Sequence, residues 1–224
     1  MTGAGAPFVS VPGAPFGARQ GRDQAEECTG GAETTTAHLR LAALLSTDVS
    51  TTPPSPTGPR PAAATIRLAT FEDAAAILSI YNVEVANHTS TFDLVPRTLD
   101  DQRRWISERS GAFSAVVAAI HDEVVGFASL SPYKERAAYR TTVENSVYVS
   151  RDHPRLGIGR SLMEHVIGIA ADSGFHSIMA RIEASSTASR ALHAACGFQL
   201  VGVEREVGRK FNRWLDVAVM QLML

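Results

Sequence analysis

Residues 65–224 are predicted to fold as one α+β (mixed α/β) domain around a mixed sheet, with residues 1–64 as a separate extension. Three observations carry this expectation. Composition changes sharply near residue 64. Beyond it, runs with period-2 alternation and runs with apolar residues every three or four positions succeed one another. Their order is β-α-α-β-β-β-α-β-α-β-β, in which strands follow strands too often for a doubly wound parallel fold.

The first strand is TIRLAT (65–70). Phe71, Ala74, Ile77, Leu78, Tyr81 and Val85 then recur at helical spacing and predict an amphipathic helix. A second helix is expected over 98–109, capped by Thr98 ahead of Asp100 and Asp101. Two β-rich runs, 114–120 and 123–131, flank His121-Asp122 and read as a hairpin. VENSVYVS (143–150) is a further strand. The stretch 157–175 reads as a helix with Leu162, Val166, Ile169 and Ala170 on one face and Gly174 as its stop. A strand over 176–183, a short helix over 189–198 ending at Gly197, and two closing strands complete the domain.

The extension speaks a different language. Residues 1–64 are rich in Gly, Ala, Pro, Ser and Thr, and the prolines at 53, 54, 56, 59 and 61 remove backbone donors and favour extended chain. Only 37–45 has the makings of two helical turns. The segment is read as disordered, with a regulatory tail, a partner-binding segment or a start site further downstream as the alternatives.

Bulk numbers narrow the function classes. Hydrophobic residues are 45% of the chain and charged ones 20%, which suits a sizeable soluble core. The net charge of −2, from 21 Lys+Arg against 23 Asp+Glu, argues against a nucleic-acid or membrane-surface partner. Two cysteines, Cys28 and Cys196, offer neither a disulfide framework nor a zinc site, so no metal is expected. No run of 18 apolar residues occurs, and the N-terminus lacks signal-peptide grammar, so the cytoplasm is the expected location.

The most informative stretch is VYVSRDHPRLGIGRSLM (147–163), a strand that runs through a short glycine loop into a helix. Helix N-termini leave N–H groups unpaired and carry partial positive charge, so they bind anions. Gly157 and Gly159 would let a pyrophosphate approach those groups, and Arg155 and Arg160 add cationic donors. Two glycines before a helix also serve a simple turn. Leu162 stands where a dinucleotide fingerprint would need a third glycine, and no GxxxxGK[ST] occurs.

Taken together, these residues resemble the GNAT family of acetyltransferases, which hold CoA pyrophosphate on an R/Q-x-x-G-x-G/A loop. The matching stretch is Pro154-Arg155-Leu156-Gly157-Ile158-Gly159. STFD (90–93), AAYRTTVENSVYVS (137–150), ASRALHAACGF (188–198) and GRKFNRWLDVAVMQ (208–221) are similar to the phosphinothricin/methionine-sulfone acetyltransferase branch. The resemblance covers 65–224 and implies a GNAT-like acyl-CoA N-acyltransferase fold, a mostly antiparallel twisted sheet flanked by helices. It also implies acetyl-CoA as co-substrate, a small-molecule amine as acceptor, and a homodimer. Two positions depart from the pattern. Pro154 replaces the usual Gln or Arg and lacks an N–H, which predicts weaker cofactor binding. Ser186 stands where the branch has Asn, with fewer donors and a shorter reach.

The resemblance also distributes roles. Glu144 is the general base, since acetyl transfer needs a neutral amine and reference amine pKa values are about 8 to 10.4. In a strand it shares a face with Ser146 and Tyr148. Backbone groups of Val147, Tyr148 and Val149 would pair with the pantetheine arm, and one N–H would stabilise the developing oxyanion. With the cradle residues and Arg160, Ser186 completes the cofactor set. Phe92, Tyr139, Asn145 and Ser146 join Glu144 at the acceptor, with Lys210 and Arg213 as carboxylate partners and Arg136 and Arg140 nearby. Singly, each also reads as an ordinary surface residue. Trp105, Trp214 and Cys196 are read as packing, and His193 as a surface histidine. Transfer is expected to be direct, to an amino-acid-like acceptor of the phosphinothricin or methionine sulfone/sulfoximine type. The alternatives are a protein N-terminal or lysine acetyltransferase, and a non-catalytic CoA-binding domain.

Overall fold

The computed structural model describes residues 64–224. The N-terminal extension with its candidate helix over 37–45, and Cys28, lie outside the described residues. The elements are β1 (Thr65–Leu68), α1 (Ala74–Asn87), α2 (Leu99–Ser107), β2 (Ala115–Ile120), β3 (Glu123–Pro132), β4 (Thr142–Val149), α3 (Ile158–Asp172), β5 (Ser177–Glu183), α4 (Thr187–Ala195), β6 (Gln199–Lys210) and β7 (Arg213–Met223). They form one seven-stranded sheet in the order β1-β2-β3-β4-β5-β7-β6. Only the β4–β5 pair is parallel. It is the pair that needs a crossover, supplied by α3.

Turn chemistry sets the hairpins. His121 and Asp122 both adopt left-handed backbone (φ 47 and 68), the type I′ geometry whose twist matches that of paired strands. Phe211 and Asn212 do the same between β6 and β7 (φ 50 and 57). Thr98 caps α2 as expected: its hydroxyl accepts from the Asp101 N–H at 3.2 Å, and the Asp101 carboxylate accepts from the Thr98 N–H at 3.1 Å. Both α3 and α4 close on a left-handed glycine. Gly174 (φ 77) allows the Phe175 N–H to reach the Ala170 carbonyl, and Gly197 (φ 92) allows Phe198 to reach His193.

Alternation splits the core over the two faces of the sheet. Val116, Ala118, Val143 and Ile178 pack against Leu162, Met163 and Val166 of α3. Val117 and Phe127 face Ile77, Tyr81 and Val85 of α1 and Ile106 of α2. Trp105 joins this second cluster, but two expected core residues do not belong. Phe71 is exposed because it precedes α1, in a single 3₁₀ turn over Phe71–Asp73. Trp214 is 60% exposed under Arg209, since Leu215, its neighbour along β7, takes the inward position.

Candidate active site

The site begins where the sheet opens. The β4–β5 ladder runs only from Thr142–Ser177 to Glu144–Met179, after which the strands separate while β5 stays paired to β7 as far as Glu183. Beyond Glu144, no strand among the described residues covers the β5-facing edge of β4. A cavity of about 910 Å³ occupies this gap. It is lined by the β4 edge at Val147–Val149 with the 150–160 loop and helix start, by Ala180–Glu183 of β5, by α4, and by Ser90, Thr91 and Phe92.

The glycine loop divides its labour differently from the sequence expectation. Gly157 is the N-cap of α3 with φ 77, and among the described residues no side chain caps the helix. The N–H groups of Ile158, Gly159 and Arg160 precede the first intrahelical donor, Ser161, and so have no intrahelical acceptor. Arg155 is also left-handed (φ 60), which curves the loop. Gly159 serves packing, because a Cβ there would come within 3.1 Å of Leu192 on α4. Ile158 is buried in the core, so only its backbone is available. Leu156 and Arg155 are exposed at the cavity mouth. Arg160 lies there too, engaged by Glu164 at 2.7 Å.

At the end of the ladder, Glu144 is half-buried, and its carboxyl group makes no hydrogen bond or ion pair to the described residues. Burial pushes its carboxyl above the ordinary range; Arg181 opposes the shift and Glu204 adds to it. Those two are paired with each other at 2.6 Å. Ser146 and Tyr148 share its face. The Tyr148 ring stacks on Phe127 at 5.1 Å and meets Tyr81 edge-on at 5.2 Å. Phe92 packs against Gly208 of β6, where an added Cβ would clash with the ring. Ser186, the N-cap residue of α4, lines the cavity with no capping bond from its side chain.

Residues 66–219 match the Acetyltransferase (GNAT) domain family. The L-methionine sulfoximine/L-methionine sulfone acetyltransferase of Pseudomonas aeruginosa is 38% identical over 163 residues, 72% of this chain and 95% of that protein. This chain belongs to the GNAT acetyltransferase family. A GNAT phosphinothricin acetyltransferase from Sinorhizobium meliloti, solved in complex with acetyl-CoA, superposes with a TM-score of 0.70 at 35% identity, covering 72% of this chain and 89% of that one. The ribosomal-protein-alanine N-acetyltransferase from Brucella melitensis gives a TM-score of 0.70 at 38% identity, covering 71% and 99%. The protein is therefore an acyltransferase of the N-acetyltransferase type, with the expected fold.

Several side chains of this acetyltransferase stand apart from their sequence assignments. Tyr139 does not line the cavity; it packs edge-on against Tyr133 at 5.7 Å. Asn145 lines it from the α3 face, opposite to Glu144. Its Nδ2 donates to His193 Nε2 at 3.1 Å and contacts Met163 Sδ at 3.2 Å, and its buried Oδ1 has no partner among the described residues. His193 is no surface residue, being 3% exposed. Its Nδ1 faces the Ser189 carbonyl at 2.8 Å and must carry the proton, so Nε2 accepts; burial lowers its pKa and keeps it neutral. Lys210 is 4% exposed, because the β6 register aims it inward. Its ammonium donates to the carbonyls of Thr91 (2.8 Å) and Glu84 (3.3 Å), so it holds a loop and is no free carboxylate partner. Arg136, Arg140 and Arg213 are exposed and outside the main cavity. Cys196 is half-buried at the end of α4, and burial raises its thiol pKa.

Sequence reasoning missed Glu84. It is 5% exposed at the cavity wall and bound by Arg151 through Nε (2.8 Å) and Nη2 (2.9 Å). A signal was present: it follows Tyr81 by three positions and adjoins Val85, so it falls on the buried face of α1, where an acid needs a partner. Nothing in the local pattern named that partner, 67 residues away.

Proposed function

We propose that this protein transfers the acetyl group of acetyl-CoA directly to the amine of a small amino-acid-like acceptor, of the phosphinothricin or methionine sulfone/sulfoximine type, in the cytoplasm. The observation that carries the reading is the opening between β4 and β5. It brings an unpaired strand edge, a helix start without a cap and a half-buried carboxylate into one cavity.

The residues present fit acetyl-CoA. The N–H groups of Ile158, Gly159 and Arg160, with Arg155, suit a pyrophosphate, and the Val147–Val149 edge suits an extended amide-bearing arm. Ser186 and Asn145 Oδ1, which has no partner among the described residues, offer further polar contacts in the cavity. Acetyl-CoA supplies an activated acyl carbon and a thiolate leaving group. Glu144 takes a proton from the acceptor ammonium, directly or through water, and frees the nitrogen lone pair for attack. Its raised pKa brings it closer to that of the amine, which eases the transfer. A β4 N–H donates to the thioester oxygen as negative charge develops. The C–N bond forms, the C–S bond breaks, and the departing sulfur gains a proton. Phe92 and Ser146 shape the acceptor end, while Tyr148 braces β4 through its ring. The protein is further read as a homodimer.

A second reading, a protein amine as acceptor, draws support from the likeness to the Brucella melitensis protein-alanine acetyltransferase. One assay separates the two. CoA-thiol release is measured with phosphinothricin, methionine sulfone, methionine sulfoximine, free amino acids and a peptide panel, using the wild type and Glu144→Gln. Turnover with one of the first three, reduced by about 10²-fold or more in the variant, is the expected result. Turnover with peptides alone would transfer the assignment to a protein acceptor.

A further inference from the structure

Glu84 joins the start of the phosphate loop to the Ser90–Phe92 segment by hydrogen bonds on both sides. Its carboxylate, in the last turns of α1, accepts the fork of Arg151 at 2.8 and 2.9 Å and the hydroxyl of Ser90. Its backbone carbonyl accepts from Lys210, which also holds the Thr91 carbonyl. Arg151 lies two residues past β4, where the phosphate loop begins. Ser90 and Thr91 line the same cavity from a separate segment, next to Phe92. Burial pushes the Glu84 carboxyl up, but Arg151 and Ser90 outweigh it and hold the pKa below the ordinary range, so the pair persists at neutral pH. A bidentate fork tolerates little misalignment, so a shift of the loop that carries Arg151 must be passed to Glu84 and Ser90.

We propose that the Glu84–Arg151 pair is a positioning latch that couples occupation of the phosphate cradle by CoA to the placement of the Ser90–Phe92 wall against the acceptor. The latch rests on the acetyl-CoA reading of the cavity. Neither residue need touch the reacting atoms. Arg151 reports the state of the loop, and Glu84 transmits it to the acceptor wall through Ser90. Acceptor selection then depends on whether the cofactor is bound.

Amide hydrogen exchange on the full chain, with CoA as the probe, tests this. In the wild type, CoA should slow exchange in residues 150–160 and also in residues 88–93, each by about fivefold or more, the lower end of typical site-to-site coupling. In Glu84→Gln, and independently in Arg151→Met, slowing at 150–160 should survive while slowing at 88–93 falls below about twofold. Arg151→Lys, which keeps the charge and loses the fork, should give an intermediate response at 88–93. Equal slowing at 88–93 in variants and wild type would overturn the latch, as would a wild-type 88–93 segment indifferent to bound CoA. Loss of CoA binding in both variants would also overturn it, making the pair a mere support of the cradle. Absence of any CoA effect in the wild type would instead defeat the cofactor reading, and the latch with it.

Discussion

Glu144, the proposed base, is held in a state that costs stability. Burial raises its folded pKa, so the folded protein binds that proton more tightly than the unfolded chain. The associated stability is fully present below the unfolded value of about 4.3 and is lost as pH rises through the raised folded value. At neutral pH the ionised carboxylate is therefore a net penalty. Glu144→Gln should melt at a higher temperature than the wild type at pH 7 while losing activity, and the gap should close towards pH 4. Rate, by contrast, needs the carboxylate, so activity should fall as pH drops through that same raised value. A calorimetric and kinetic pH series on the two proteins checks both signs. Gly208 makes a second case at this scale. A methyl group there would stand 2.2 Å from the Phe92 ring and must expel it. Gly208→Ala should raise the acceptor KM severalfold with little change in kcat, and adding Phe92→Ala should cost nothing further, which a double-mutant cycle measures.

At the scale of elements, the start of α3 and the end of the β4–β5 ladder depend on each other. The ladder must stop for the edge of β4 to be open, and the loop that follows must turn back on itself to present the helix N–H groups. Gly157 permits that turn with φ 77. A side chain there would meet no atom within 4 Å, so its cost is purely conformational, about 1 kcal/mol. Gly157→Ala should lower the melting temperature slightly and weaken acetyl-CoA binding by more than that strain alone implies, since relief of φ would rotate the donors away. Titration calorimetry with acetyl-CoA measures it. Much at this scale was legible in advance. The eleven elements, the His121-Asp122 turn, the Thr98 cap and the glycine stops follow from local periodicity and turn chemistry. The separate tasks of Gly157 and Gly159 were not legible, because only the approach of Leu192 distinguishes them.

For the whole molecule, β6 forms an edge of the sheet and exposes Leu200, Val201, Val203 and Val207. A long apolar edge strand invites pairing. It is the surface on which the proposed homodimer would form. Light scattering behind size exclusion should give twice the chain mass for the wild type and the monomer mass for Val201→Asp/Val203→Asp. A monomeric wild type would refute the dimer.

Local sequence was sufficient for the order of strands and helices, the glycine loop and the membership of the family, because turns, caps and alternation act over a few residues. Only the tertiary structure decided which polar side chains are spent on architecture. Lys210 looked available to a substrate and is consumed by Thr91, 119 residues away. His193 looked like surface and is buried against Asn145. Glu84 finds Arg151 only because α1 and the end of β4 converge on one cavity. Each of these outcomes is a long-range pairing of a buried polar group. The need for a partner is inherent in the residue, but its identity is set by how the sheet brings distant segments together.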